Sequence, residues 1–300
     1  MVSQNETTRV AIQGIAGSFH DIVARNYFGD DVEIVPAESF IEMFATLERN
    51  DADYAVMAIE NTVAGSILPN YALLRDSHCR IVGEIYLRIS HNLVAVPGQT
   101  IDEIREVRSH PMAIGQCRDF FEKYPHIALI ESADTASSAR RVAEENLKGV
   151  GAIASSLAAQ MYGLDTLARD IETHRKNYTR FLIVTDELNA VHDKDVDKAS
   201  LCFSLPHEVG SLSSVLSVIA FYRLDLTKIQ SLPIIGREWQ YLFYVDVTFE
   251  DFVRYRQALS AIRPLTEIFQ ILGEYRQGRN SFEQVHHQLE QDDMDTQEEN

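Results

Sequence analysis

Between Arg9 and Val184 the chain alternates short apolar runs with amphipathic stretches, and that rhythm leaves few folds open to it. Residues 9–13, 54–59, 80–89, 91–96, 127–130, 150–154 and the run from Tyr178 through Val184 read as strands. Residues 19–28, 39–50, 70–77, 112–124, 134–147 and 155–162 read as helices. In the second helix Phe40, Met43, Phe44 and Leu47 share a face, and Ser39 with Glu42 makes a capping box. Pro111 stands near N1 of its helix, where a missing N–H costs nothing, and Gly163 ends the last one. Strands in alternation with helices predict an α/β sheet architecture.

After Asp186 the pattern changes. Residues 187–198 are polar and read as a linker between a first domain, 8–186, and a second, 199–278. The second domain reads strand 199–205, helix 211–221, strands 224–232 and 240–248, helix 251–262 and strand 267–272, a ferredoxin-like βαββαβ unit. Residues 279–300 carry Glu290, Asp292, Asp293, Asp295, Glu298 and Glu299 with no Lys or Arg after Arg279, and read as a disordered acidic tail.

Bulk properties exclude several classes. With 45% hydrophobic and 24% charged residues the chain can bury a full core. No apolar run approaches the roughly 20 residues of a membrane helix. The polar start, Met1 to Thr8, shows no signal-peptide core. Cys79, Cys117 and Cys202 are odd in number and widely spaced, so no disulfide framework or zinc spacing follows and a cytoplasmic setting is expected. His286 and His287 have no further ligands beside them. A net charge of −18 without any Lys/Arg block argues against nucleic acid or an anionic membrane as partner. An anionic substrate must instead find local positive potential, at single arginines or helix N-termini.

Polar clusters gather at strand ends and helix starts: Gly17-Ser18, Glu60-Asn61-Thr62, Ser109-His110 and Asp134-Thr135. Each also reads as a helix cap. Together they predict a cleft lined with hydroxyls, where ligands of open α/β sheets bind. The turn Gly14-Ile15-Ala16-Gly17-Ser18 lacks the third glycine and the acidic partner of a dinucleotide site, so no nucleotide cofactor is expected. In Asn177-Tyr178-Thr179-Arg180-Phe181 a hydroxyl, a guanidinium and a ring meet at a strand start. That set suits a small aromatic or pre-aromatic anion.

Taken in order, these segments resemble prephenate dehydratase across the chain to about Tyr275. The resemblance is carried by Gly14 through His20, Ile59 through Gly65, Ile89 through Leu93, Ser109-His110-Pro111 with Gln116-Cys117, Asp134-Thr135-Ala136, Tyr162-Gly163-Leu164 and the Thr179-Arg180-Phe181 triplet. It implies a two-lobed catalytic domain like a type II periplasmic-binding protein, followed by an ACT domain that binds a regulatory amino acid. It implies a homodimer or homotetramer and no cofactor. Departures fall at His20, where the family usually has Ser, and at Met112. In the ACT motifs the chain reads Gly210-Ser211-Leu212 and Gln230-Ser231-Leu232-Pro233, where the family carries Gly-Ala-Leu and Glu-Ser-Arg-Pro, so a phenylalanine effector is expected to act weakly.

The implied reaction expels CO2 and water from prephenate and leaves phenylpyruvate, on the route to phenylalanine. Aromatisation drives it, and the barrier lies in the departure of hydroxide, which needs a donor. The resemblance gives that role to Thr179, a carboxylate-orienting role to Arg180 and a dry wall to Phe181. It places Ser18, His20, Glu60, Asn61, Thr62, Ser109, Gln116 and Thr135 around the substrate. His20, with an ordinary pKa near neutrality, is a candidate proton relay, and His91 reads as a core residue. Alternatives are an arogenate dehydratase, with an amino group on the side chain, and a non-catalytic amino-acid sensor.

Overall fold

The computed structural model describes residues 7–190, 195–278 and 281. The acidic stretch from 282 to 300, with His286 and His287, lies outside the described residues, as do positions 191–194 of the expected linker. In chain order the elements are β1 (Arg9–Gln13), α1 (Phe19–Phe28), β2 (Glu33–Ala37), α2 (Phe40–Glu48), β3 (Tyr54–Asn61), β4 (Gly65–Ser66), α3 (Leu68–Asp76), β5 (Cys79–Arg88), β6 (Asn92–Ala95), β7 (Glu106–Ser109), α4 (Pro111–Gln116), α5 (Arg118–Glu122), β8 (Ala128–Glu131), α6 (Thr135–Glu144), β9 (Val150–Ala154), α7 (Ser156–Met161), β10 (Asp165–Ala168) and β11 (Tyr178–Asp186). Then follow β12 (Lys198–Ser204), α8 (Ser211–Phe221), β13 (Asp225–Pro233), β14 (Tyr241–Thr248), α9 (Phe252–Ile262) and β15 (Ile268–Tyr275). No helix among the described residues is long and apolar enough to cross a membrane.

Two compact units emerge. The first holds the described residues up to Ser66 together with Ile85–Phe181. Its two sheets make two lobes. In one, β1 pairs in parallel with β2 and β3, and Val10, Ala11 and Ile12 are 0% exposed because helices cover both faces. In the other the order is β10-β6-β9-β7-β8. Here Leu93 and Ala95 enter one core cluster and Val94 and Val96 the opposite one, the period of two expected of a strand.

The turn before α1 is held close to α7. Gly17 has φ +87°, and a Cβ there would lie 3.0 Å from the Ala158 Cα, so glycine is required. The Ser155 hydroxyl donates to the Gly17 carbonyl and the Tyr162 hydroxyl to the Ala16 carbonyl, both at 2.6 Å.

Several elements differ from the sequence expectation. The single helix expected over 112–124 is two, α4 and α5, with Cys117 (φ −106°, ψ 12°) between them. Gly115 weakens the helix there, and the fully buried Cys117 joins the core of Leu93, Ile104 and Ile153. Strands β2, β7 and β10 were not anticipated. They are short, partly exposed and, in β2, interrupted by Pro36. At α2 the Ser39 hydroxyl caps Glu42 N, but the Glu42 carboxylate reaches Glu38 N, so the capping box is not reciprocal.

The second unit joins Ile67–Glu84 to the described residues from Leu182 to 278. It contains the expected βαββαβ unit, with antiparallel order β13-β14-β12-β15 and both helices on one face. Leu201, Phe203, Val245 and Val247 pack there against Val215, Ile219, Tyr255 and Leu259. On β15, Gly273 faces Ile81 of β5, where an added Cβ would come within 2.3 Å of the Ile81 carbonyl oxygen. The Lys198 ammonium, 3% exposed, meets both carboxylate oxygens of the fully buried Glu84 at 2.9 Å.

Candidate active site

The site is built around the last residue of β3. Asn61 is 8% exposed. Its Oδ1 accepts the backbone N–H groups of Val63 at 2.9 Å and Ala64 at 2.7 Å, which fixes the orientation of the amide. Its Nδ2 therefore points to three acceptors: Asn177 Oδ1 at 2.7 Å, the Thr179 hydroxyl at 2.9 Å and the Tyr178 carbonyl at 3.2 Å. Thr179 Oγ1 is held as an acceptor, so its own proton is available to a ligand.

The amide chain continues. Asn177 Nδ2 donates to Gln116 Oε1 at 3.0 Å, and His91 Nε2 lies 2.9 Å from the same oxygen. A carbonyl oxygen only accepts, so His91 carries its proton on Nε2. Its Nδ1 is buried without a hydrogen-bond partner, and burial pushes its pKa below the ordinary value. The His91 ring also meets Phe19 edge-on at 5.6 Å. Thr179, Asn61, Asn177, Gln116 and His91 thus form one hydrogen-bonded series. His91 and Asn177 were not among the predicted site residues. Asn177, a polar residue directly before a buried strand, was the available signal.

The other predicted residues divide. Strand alternation puts Thr179 and Phe181 on one face of β11 and Arg180 on the other. Arg180 is 6% exposed and is not brought to the Thr179 face. Phe181 is buried against His20, ring to ring at 5.1 Å and nearly perpendicular, and His20 also meets Phe40 at 5.7 Å. His20 Nε2 has no partner, and burial pulls its pKa down to about 4. His20 is therefore neutral at pH 7, and among the described residues its Nε2 has no hydrogen-bonded path along which to relay a proton.

Ser18 caps α1 by accepting from Asp21 N. The Thr62 hydroxyl accepts from Tyr178 N and donates to the Lys176 carbonyl, each at 2.9 Å, so it fastens β3 to β11. Ser109, fully buried, donates to the Ile153 carbonyl at 2.8 Å. Thr135 begins α6, whose cap is Asp134, and Glu60 pairs with Ser66 across β3 and β4. The hydroxyls of Ser18, Thr62 and Ser109 thus serve a helix cap or bind backbone groups.

In the second unit Gly210 (φ +89°) precedes Ser211 and Leu212 at the start of α8. Gln230 registers with Tyr244 and Leu232 with Leu242, whereas Ser231 registers with Phe243 on the face that packs the helices. Gln230 and Leu232 therefore lie on the opposite face of the sheet from Ser231, with Pro233 ending the strand. Among the described residues no group of His, Cys, Asp and Glu is placed to hold a metal ion.

Fold and site together define a two-lobed α/β protein with a ferredoxin-like unit and a buried amide series ending on a threonine hydroxyl. The prephenate dehydratase family model matches residues 10–189. The chain is 38% identical over 288 residues to arogenate dehydratase/prephenate dehydratase 2, chloroplastic, of Arabidopsis thaliana, covering 91% of this chain and 74% of that one. The chain belongs to the prephenate dehydratase family. A solved structure described as a novel type of quorum-quenching acylase is 29% identical, with a TM-score of 0.80 over 90% of this chain and 98% of its own. The prephenate dehydratase of Arthrobacter aurescens in complex with L-Phe has a TM-score of 0.81 at 24% identity over 95% of this chain and 99% of its own.

Proposed function

We propose that this chain converts prephenate to phenylpyruvate. The ring carboxylate leaves as CO2, and the electrons of its C–C bond form the new ring double bond. The ring C–O bond breaks, and the departing oxygen takes a proton and leaves as water. The observation that carries the reading is the Asn61–Thr179 hydrogen bond: a hydroxyl already held as an acceptor keeps its proton free to donate, and a preorganised donor is what a poor leaving group needs. Threonine is a weak acid, so its contribution is a hydrogen bond that tightens as charge grows on the leaving oxygen. Solvent restores the proton.

The acyl-transfer chemistry named for one structural relative would need a base on a nucleophile. Among the described residues no carboxylate or imidazole hydrogen-bonds Thr179, which favours elimination. Thr179→Val keeps the shape and deletes the hydroxyl. Phenylpyruvate absorbance after incubation with prephenate should show turnover reduced by about 10²–10³. Near-wild-type turnover would remove Thr179 from the mechanism.

The ferredoxin-like unit is proposed to bind phenylalanine as a feedback effector. An effector acts only by favouring one conformation over another. Gln230 offers no charge, and its side-chain amide donates to the Ser231 carbonyl at 3.0 Å. Weak inhibition is expected, and calorimetric titration beside an inhibition curve reads both binding and effect.

A further inference from the structure

A groove of about 390 Å³ opens beside the amide series in the first unit, lined in part by Gln116, Asn177, Arg118 and Asp119. Gln116 and Asn177 connect it by hydrogen bonds to Asn61 and Thr179. Gly115 leaves room in its wall and Met112 supplies apolar surface.

Arg118 and Asp119 are adjacent in sequence, both exposed and both turned to this groove. Among the described residues neither has an ion-pair or side-chain hydrogen-bond partner. The same dipeptide behaves differently elsewhere in the chain: at Arg75-Asp76 the guanidinium closes on its neighbour through two bonds, at 2.6 and 2.7 Å. At Arg118-Asp119 a free cation and a free anion stand open to one cavity. Arg180, the cation expected from the sequence to hold a carboxylate, lies on the other face of its strand.

We infer that Arg118 and Asp119 are the specificity-determining pair for the substrate side chain, and that they fit an α-amino carboxylate. This rests on the dehydratase reading of the Thr179 site. Arg118 takes the carboxylate with its planar fork. Asp119 takes the ammonium of the amino form, arogenate, so that form has the higher kcat/KM while the more negative keto form, prephenate, is still turned over. In a chain of net charge −18, one carboxylate lining this groove therefore favours the substrate that carries a positive charge on its side chain.

The test measures kcat/KM on prephenate and arogenate for the wild-type chain, Asp119→Asn and Arg118→Gln, with melting curves confirming that each variant is folded. Asp119→Asn should lower kcat/KM for arogenate by about threefold to fivefold and raise it for prephenate, the range of a partly screened ion pair. Arg118→Gln should raise KM for both by about tenfold while kcat falls less. Equal effects of Asp119→Asn on the two substrates, or none, would overturn the inference and leave the dehydratase reading standing. A wild-type chain that turns over neither substrate would overturn both.

Discussion

Asn61 Nδ2 lies 2.9 Å from the Thr179 hydroxyl oxygen, and the amide cannot be turned round. Its Oδ1 already holds the N–H groups of Val63 and Ala64. Exchanging the two amide atoms would set donors against donors and leave a buried carbonyl facing acceptors. A short turn at the end of β3 therefore fixes the Thr179 hydroxyl as an acceptor toward Asn61.

Asn61→Asp tests that relationship. The side chain still accepts from the turn, but it offers Thr179 an acceptor in place of a donor. The hydroxyl proton is drawn inward and lost to a ligand. Turnover should fall about hundredfold, the cost of one misdirected donor. A rate within about threefold of wild type would show that Thr179 needs no such orientation.

His20 makes stability depend on pH. Burial lowers its pKa from 6.5 to about 4, so between those values the unfolded chain binds a proton that the folded chain does not. Its contribution is complete above about pH 6.5 and is lost as pH falls, reaching about 3 kcal/mol near pH 4. His91, shifted in the same direction, adds to the trend. Urea unfolding from pH 7 to pH 4 should show a shallower loss for His20→Phe than for wild type. Parallel curves would exclude His20 as the cause.

The buried pair of Lys198 and Glu84 is a liability when broken. Lys198→Ala leaves a carboxylate in the interior and should destabilise the chain by about 3–5 kcal/mol in chemical denaturation. Lys198→Met combined with Glu84→Gln should recover most of that loss. A double variant no better than Lys198→Ala would mean that packing, and not the uncompensated charge, sets the cost.

Among the described residues strand β13 has β14 as its sole neighbour in the sheet order, which leaves its other backbone edge without a partner there. Ile229 on that strand is 43% exposed and nearby Tyr241 39%. An apolar edge of this kind invites a second copy. Sedimentation at micromolar concentration should show a dimer or larger species, and Ile229→Lys should shift it toward monomer. A wild-type monomer would contradict this.

Local pattern was enough for much of the fold. Helix α8 begins and ends at the residues read from periodicity, and the βαββαβ order follows from strand and helix signals within each segment. Thr179, Asn61 and Gln116 were legible because they sit in short motifs at strand ends and helix starts. Local pattern could not reveal what each hydroxyl is bonded to. Ser109, Thr62 and Thr179 look alike in sequence, yet two of them donate to backbone carbonyls and the third is held as an acceptor. That distinction depends on partners as far as 118 positions away in the chain, as Asn61 is from Thr179. Likewise, His91 was read as core because it borders an apolar strand, and only packing set its Nε2 against Gln116. The sequence by itself determined the elements, their order and the family motifs, because those depend on neighbours along the chain. The tertiary structure alone decided which side-chain groups donate to which and the faces on which Arg180 and Arg118 stand, because hydrogen bonding and burial are settled between segments that meet only once the chain has folded.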